Sequence, residues 1–144
     1  MTTAELIEYV RTMVSRDTAA NKRVEQKLDA EGWTGAPVFY ASCFYLAVNR
    51  RFPRPVDPGD IVRFVAEIRA WAGEDAPGID PAIAETLIGS VVDPSMEIDV
   101  RRLDQEMVGR IELIVVFAVL SRLSVSEAEL DAFFTKATSM AAAD

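Results

Sequence analysis

Glu112 is the one ionisable residue between Ile111 and Ser121 in the apolar stretch IELIVVFAVLS. A carboxyl group in such surroundings loses hydration, its pKa rises, and it can then hold or deliver a proton near neutrality, as a general acid must. The spacing also offers a plainer role. In a helix Gln105, Gly109 and Glu112 share one face, where Glu112 would meet water and pair with an arginine, since acids are seldom buried without a partner. Pairing on the wet face is the expectation, and a desolvated acid is the alternative.

A second constellation is NRRFPRPVDPGD, residues 49–60, with Arg50, Arg51 and Arg54 close together. Three guanidinium groups stiffened by two prolines are able to hold a phosphate or carboxylate. They also fit the end of a helix, where Arg50 and Arg51 complement the negative end of the dipole and Pro53 forbids continuation. Helix punctuation, with pairing to the chain's own acids, is the preferred reading, and an anion or partner contact is the functional one. The aromatic residues Phe39, Tyr40 and Tyr45, with Trp33, Phe44 and Trp71, form either core or the wall of an apolar pocket, with Glu112 as its candidate charge. Core packing is the expectation. Cys43 lies among hydrophobes with no adjacent cation and reads as an inert thiol.

Much chemistry is excluded outright. The chain has no histidine and a single cysteine, so His-based triads are excluded, and a structural zinc site, built from several Cys and His ligands, is not expected. No glycine-rich phosphate or dinucleotide motif and no G-x-S-x-G occurs. Glu74, Asp75 and Asp80 lack the alternating spacing of a calcium loop. No catalytic residue, cofactor or metal is therefore assigned. Asp and Glu outnumber Lys and Arg 23 to 15, for a net charge of −8. Residues 1–56 carry 8 basic and 6 acidic side chains, residues 57–144 carry 7 and 17. The acidic second half disfavours a phosphate backbone and leaves a basic protein as the complementary partner. The first residues carry acids where a signal peptide carries bases, and the longest apolar run is too short for a bilayer, so a cytoplasmic protein without membrane or nucleic-acid contact is expected. Twelve of the 15 basic residues are Arg, a bias of GC-rich bacterial coding.

These residues must be positioned by helices. At 144 residues, one domain spanning residues 1–144 is the natural unit. Thr2 and Glu5 have capping-box spacing before an apolar stripe over residues 3–15. Asp17 is placed to cap a helix bearing Ala20, Val24 and Leu28, and Gly32 to stop it; residues 3–31 form one helix or two. Residues 36–52 lack a clean period and read as a helix buried all round, with a hairpin at 38–48 as the alternative. Asp57-Pro58 and Asp80-Pro81 mark helix starts. Asp93-Pro94 reads as a turn before a long helix that begins near Asp99 or Val100. Ser124 with Glu127 opens the last helix. The predicted architecture is all-α, a single compact bundle of six or seven helices, with an α+β fold containing the short hairpin as the minor alternative.

Two functions follow. The first is a non-enzymatic protein-interaction or regulatory module, of the immunity or antitoxin-like kind, which binds a basic protein or a second copy of itself as a homodimer through an apolar face such as LIVVFAVL. The second is a small-molecule binder or minor enzyme for an anionic ligand. It would use a pocket between the aromatic segment and the Asp57 helix, lined by Phe39, Tyr40, Tyr45, Trp71 and Glu112.

Overall fold

The computed structural model describes residues 2–96, 98–122 and 125–143, with the side chains of Thr2 and Arg122 excepted. Among them are seven α-helices and no strand: α1 (Thr2–Val14), α2 (Thr18–Glu31), α3 (Ala36–Arg51), α4 (Pro58–Ala72), α5 (Pro81–Val92), α6 (Gln105–Arg122) and α7 (Glu127–Ala143). The fold is an all-α bundle.

Most boundaries follow from local hydrogen bonding. Asp17 accepts from Ala20 N at 3.1 Å, Asp57 from Gly59 N at 2.9 Å, and Asp80 from both Ala82 N and Ile83 N at 2.9 and 3.2 Å. Each satisfies donors that a helix leaves free at its start. Residues 3–31 divide into two helices because Arg16 adopts a left-handed φ of 61° ahead of the Asp17 cap. Asn21 then ties α2 to α1, donating to Tyr9 O at 2.9 Å and Thr12 Oγ1 at 3.1 Å. Gly32, at φ 100°, closes α2 in a conformation that other residues rarely adopt.

Two boundaries differ from expectation, and the capping box expected at Thr2 rests on a side chain outside the described residues. Glu5 reaches Lys27 of α2 at 3.4 Å. The long helix α6 starts at Gln105, later than predicted. Asp99 caps only a single 3₁₀ turn (Val100–Arg102), and Asp104 takes over as the helix cap, accepting from Glu106 N at 3.0 Å. The expected Ser124 box lies outside the described residues; within them Ser126 and Glu129 form one, with Glu129 N donating to Ser126 Oγ at 3.2 Å.

Residues 36–51 are helical throughout, and no hairpin forms. The element shows no clean stripe because α3 is enclosed by neighbours on several sides: it packs most extensively on α6, then on α7 and α5. Ala36, Phe39, Cys43, Phe44, Ala47 and Val48 are all buried along it. On α6, Val108, Ile111, Val115, Val116, Val119 and Leu120 are buried as well. The α1–α2 and α4–α5 hairpins flank this central pair, and α7 closes the bundle over α3. Arg11 of α1 holds that lid by bonding Glu127 at 2.9 Å and also Asp131, with its guanidinium 5.3 Å from the Phe134 ring.

Candidate functional site

Between the first half of α3 and the first half of α6 lies a cleft of about 490 Å³, within the range of small-molecule sites. Four features of the sequence shape it. Gly35 begins α3 and Pro37 stands in its first turn, so the helix presents Ala36, Tyr40 and Ala41 to the opening. Asp104 starts α6 so that Gln105, Gly109, Glu112 and Leu113 form the facing wall. Trp33 closes one end, held by a hydrogen bond from its indole N–H to Asp29 at 2.8 Å and by edge-on contact with Tyr9, ring centres 5.1 Å apart. The lining is mainly apolar.

Glu112 is the least solvated polar group in that lining, at 8% exposure. Among the described residues it has no hydrogen bond and no ion pair, so the expected arginine partner is absent. Arg110, the nearest candidate in sequence, turns to Gly78 O at 3.2 Å and to Glu106 at 3.7 Å. Burial without a counter-charge pushes the Glu112 carboxyl up to about 7. The Cys43 thiol on α3 is pushed up to about 12, by burial first and by the field of Glu112 second. Burial also raises Tyr40, whose hydroxyl has no partner among the described residues.

Gly109 adds a separate signal. It lies inside α6, its backbone is not left-handed, and a Cβ built there would meet no atom within 4 Å. Neither backbone conformation nor close helix packing requires glycine at this position; what it leaves is cleft volume.

The other predicted site residues are dispersed. Of the five pocket candidates, Tyr40 and Glu112 meet at the cleft, and Phe39, Tyr45 and Trp71 do not join them. Because α3 is helical, neighbours along it point in different directions. Phe39 is 2% exposed and faces α1 and α7; Tyr45 is 47% exposed. Trp71 stacks on Phe117, ring centres 4.9 Å apart, on a different part of α6. The wall opposite the aromatic segment is α6 and not the Asp57 helix. Arg50, Arg51 and Arg54 do not converge either. Arg50 bonds Glu129 at 2.6 Å, Arg51 lies 4.8 and 5.3 Å from the Phe52 and Phe64 ring centres, and Arg54 donates to Phe52 O, Asn49 Oδ1 and Val91 O at 2.6, 2.8 and 3.1 Å.

A depression between α4 and α5 (about 510 Å³) and one beside Ile79 (about 620 Å³) have no buried polar side chain among the described residues of their linings. Among the described residues no three His, Cys, Asp or Glu side chains cluster as metal ligands, and no helix is long and apolar enough to cross a membrane. No protein-family model, curated protein or solved structure matches this chain.

Proposed function

We propose that the protein binds a small, largely apolar molecule in the cleft between α3 and α6. The observation that carries this reading is an unpaired, buried carboxyl group lining an open apolar cleft. Glu112 is 8% exposed, and its carboxyl oxygens, which have no protein partner among the described residues, open onto the cleft, where an incoming group can complete their hydrogen bonding. The preformed aromatic wall of Trp33 and Tyr40 supplies apolar area for the body of such a ligand. The apolar run Leu113–Leu120, which in the sequence pointed to a partner surface, is spent mainly inside the chain: Val115, Val116, Ala118, Val119 and Leu120 are all buried.

The test is titration with the neutral fluorescent probe N-phenyl-1-naphthylamine and with 1-naphthalenemethanol, read by dye emission and Trp33 quenching. One-to-one saturable binding is expected, with loss of affinity in Gly109→Phe and Ala41→Trp, two independent ways of filling the cleft. Circular dichroism would verify that both variants stay folded. Binding that is unchanged in the two folded variants, or no saturable binding of these probes or of 1-naphthylmethylamine, would overturn the proposal.

A further inference from the structure

Resting on that reading, we infer that the ligand class is a monocationic amine: an apolar, preferably aromatic body carrying one ammonium group that becomes the missing counter-ion of Glu112.

The charges around the cleft support a cation over an anion or a purely neutral molecule. Among the described residues its lining holds Glu106, Arg110 and Glu112 as the only ionisable groups besides the Tyr40 phenol. Glu106 and Arg110 sit 3.7 Å apart at the exposed rim and offset one another. Ionised Glu112 then leaves the cleft with one net negative charge, enclosed by apolar walls that strengthen its field. An ammonium group donates and never accepts, which matches a carboxylate that accepts and has no donor. The rings of Tyr40 and Trp33 line the same space, and a cation at an aromatic face gains further attraction. An anion would meet ionised Glu112 with Arg110 already partly neutralised by Glu106.

Proton linkage gives this inference a signature. From α3 the groups facing Glu112 or its cleft are Cys43 and Tyr40, both held protonated by burial; from α6 they are Glu106 and Arg110; α1, α4, α5 and α7 contribute no residue to the lining. Glu112 is thus the group that titrates near neutrality, at about 7. An ammonium ligand requires the ionised carboxylate, so uptake at pH 6 must expel a proton that uptake at pH 8 need not. Affinity should accordingly be about tenfold weaker at pH 6 than at pH 8.

Three probes with one body separate the possibilities: 1-naphthylmethylamine, 1-naphthalenemethanol and 1-naphthoate. Calorimetry at pH 8 should show the amine binding at least about tenfold more tightly than the alcohol, equivalent to one factor of ten in the equilibrium constant. In Glu112→Gln the ratio of amine to alcohol affinity should fall to near one. Titrations at pH 6 in buffers of different ionisation enthalpy should register release of close to one proton per amine bound. If the alcohol or the naphthoate binds as tightly as the amine, or if the amine advantage survives in Glu112→Gln, the cation inference falls and the cleft remains a binding site. If none of the three binds, both readings fall together.

Discussion

Replacing Glu112 by glutamine keeps the size of the side chain and removes its ionisation, so the variant isolates the consequence of burying an unpaired acid. In the fold the carboxyl titrates at about 7, against an ordinary value of 4.5. Each unit corresponds to about 1.4 kcal/mol, so the ionised form weakens the fold by about 3 kcal/mol. The direction follows from proton counts. Between these two pH values the native state retains a proton that the unfolded chain has released. Stability contributed by the protonated group is therefore complete below about 4.5, declines as pH rises to about 7, and stays low above it. The Glu112→Gln variant has no such dependence. Urea denaturation followed by far-ultraviolet circular dichroism at a series of pH values should find variant and wild type separated by a small constant offset at pH 4, with the gap widening by about 3 kcal/mol in favour of the variant by pH 8. The slope against denaturant should stay the same in both proteins, since the surface exposed on unfolding is unchanged. Against a total stability of about 5–15 kcal/mol such a swing is large and easily measured. A gap that does not vary between pH 4 and pH 8 would refute the reasoning, because it would mean that Glu112 is solvated or paired in solution.

Two further outcomes follow from the same geometry. Gly109→Ala should stabilise the protein by about 0.5–1 kcal/mol in chemical denaturation, since alanine favours helix and its Cβ meets no neighbour; destabilisation would show that the space beside Gly109 is not open. Arg54→Lys should cost about 1–2 kcal/mol, because a single ammonium cannot span Asn49 Oδ1, Phe52 O and Val91 O as the planar guanidinium does; an unchanged unfolding midpoint would assign those three bonds no weight.

Where structure is set by a few adjacent residues, the sequence was a sufficient guide. Asp17, Asp57 and Asp80 each cap a helix because the carboxylate and the amides it accepts from are two or three residues apart. Asp93 illustrates how the same local chemistry serves another end. Its Oδ1 accepts from Ser95 N at 3.0 Å and from Ser95 Oγ at 2.6 Å, and the chain turns without entering a helix. Asp99 likewise organises only one 3₁₀ turn, which Gln105 seals by donating to Val100 O and Leu103 O at 2.7 and 2.9 Å. Periodicity placed Glu112 on the face of Gln105 correctly. That face is open at Gln105 and covered at Glu112, because α3 crosses it. A crossing between elements far apart in sequence leaves no trace in the spacing of either one, which is why an expected wet residue is a buried one.

The cleft also concentrates two unfavourable choices at one place. A glycine inside a helix costs about 1 kcal/mol relative to alanine, and an ionised acid without a partner costs about 3 kcal/mol at neutral pH and above by the shift of Glu112. Small residues facing one another between helices ordinarily serve close approach of the backbones, but the position of a Gly109 Cβ is empty, so close packing is not what the glycine provides. Substitutions as simple as Gly109→Ala and Glu112→Gln would relieve both costs without touching another side chain of the core. Local choices that run against stability in this way are expected at functional sites. Their meeting with the aromatic wall of Trp33 and Tyr40 is what favours this cleft, over the dispersed arginines Arg50, Arg51 and Arg54, in the proposed reading.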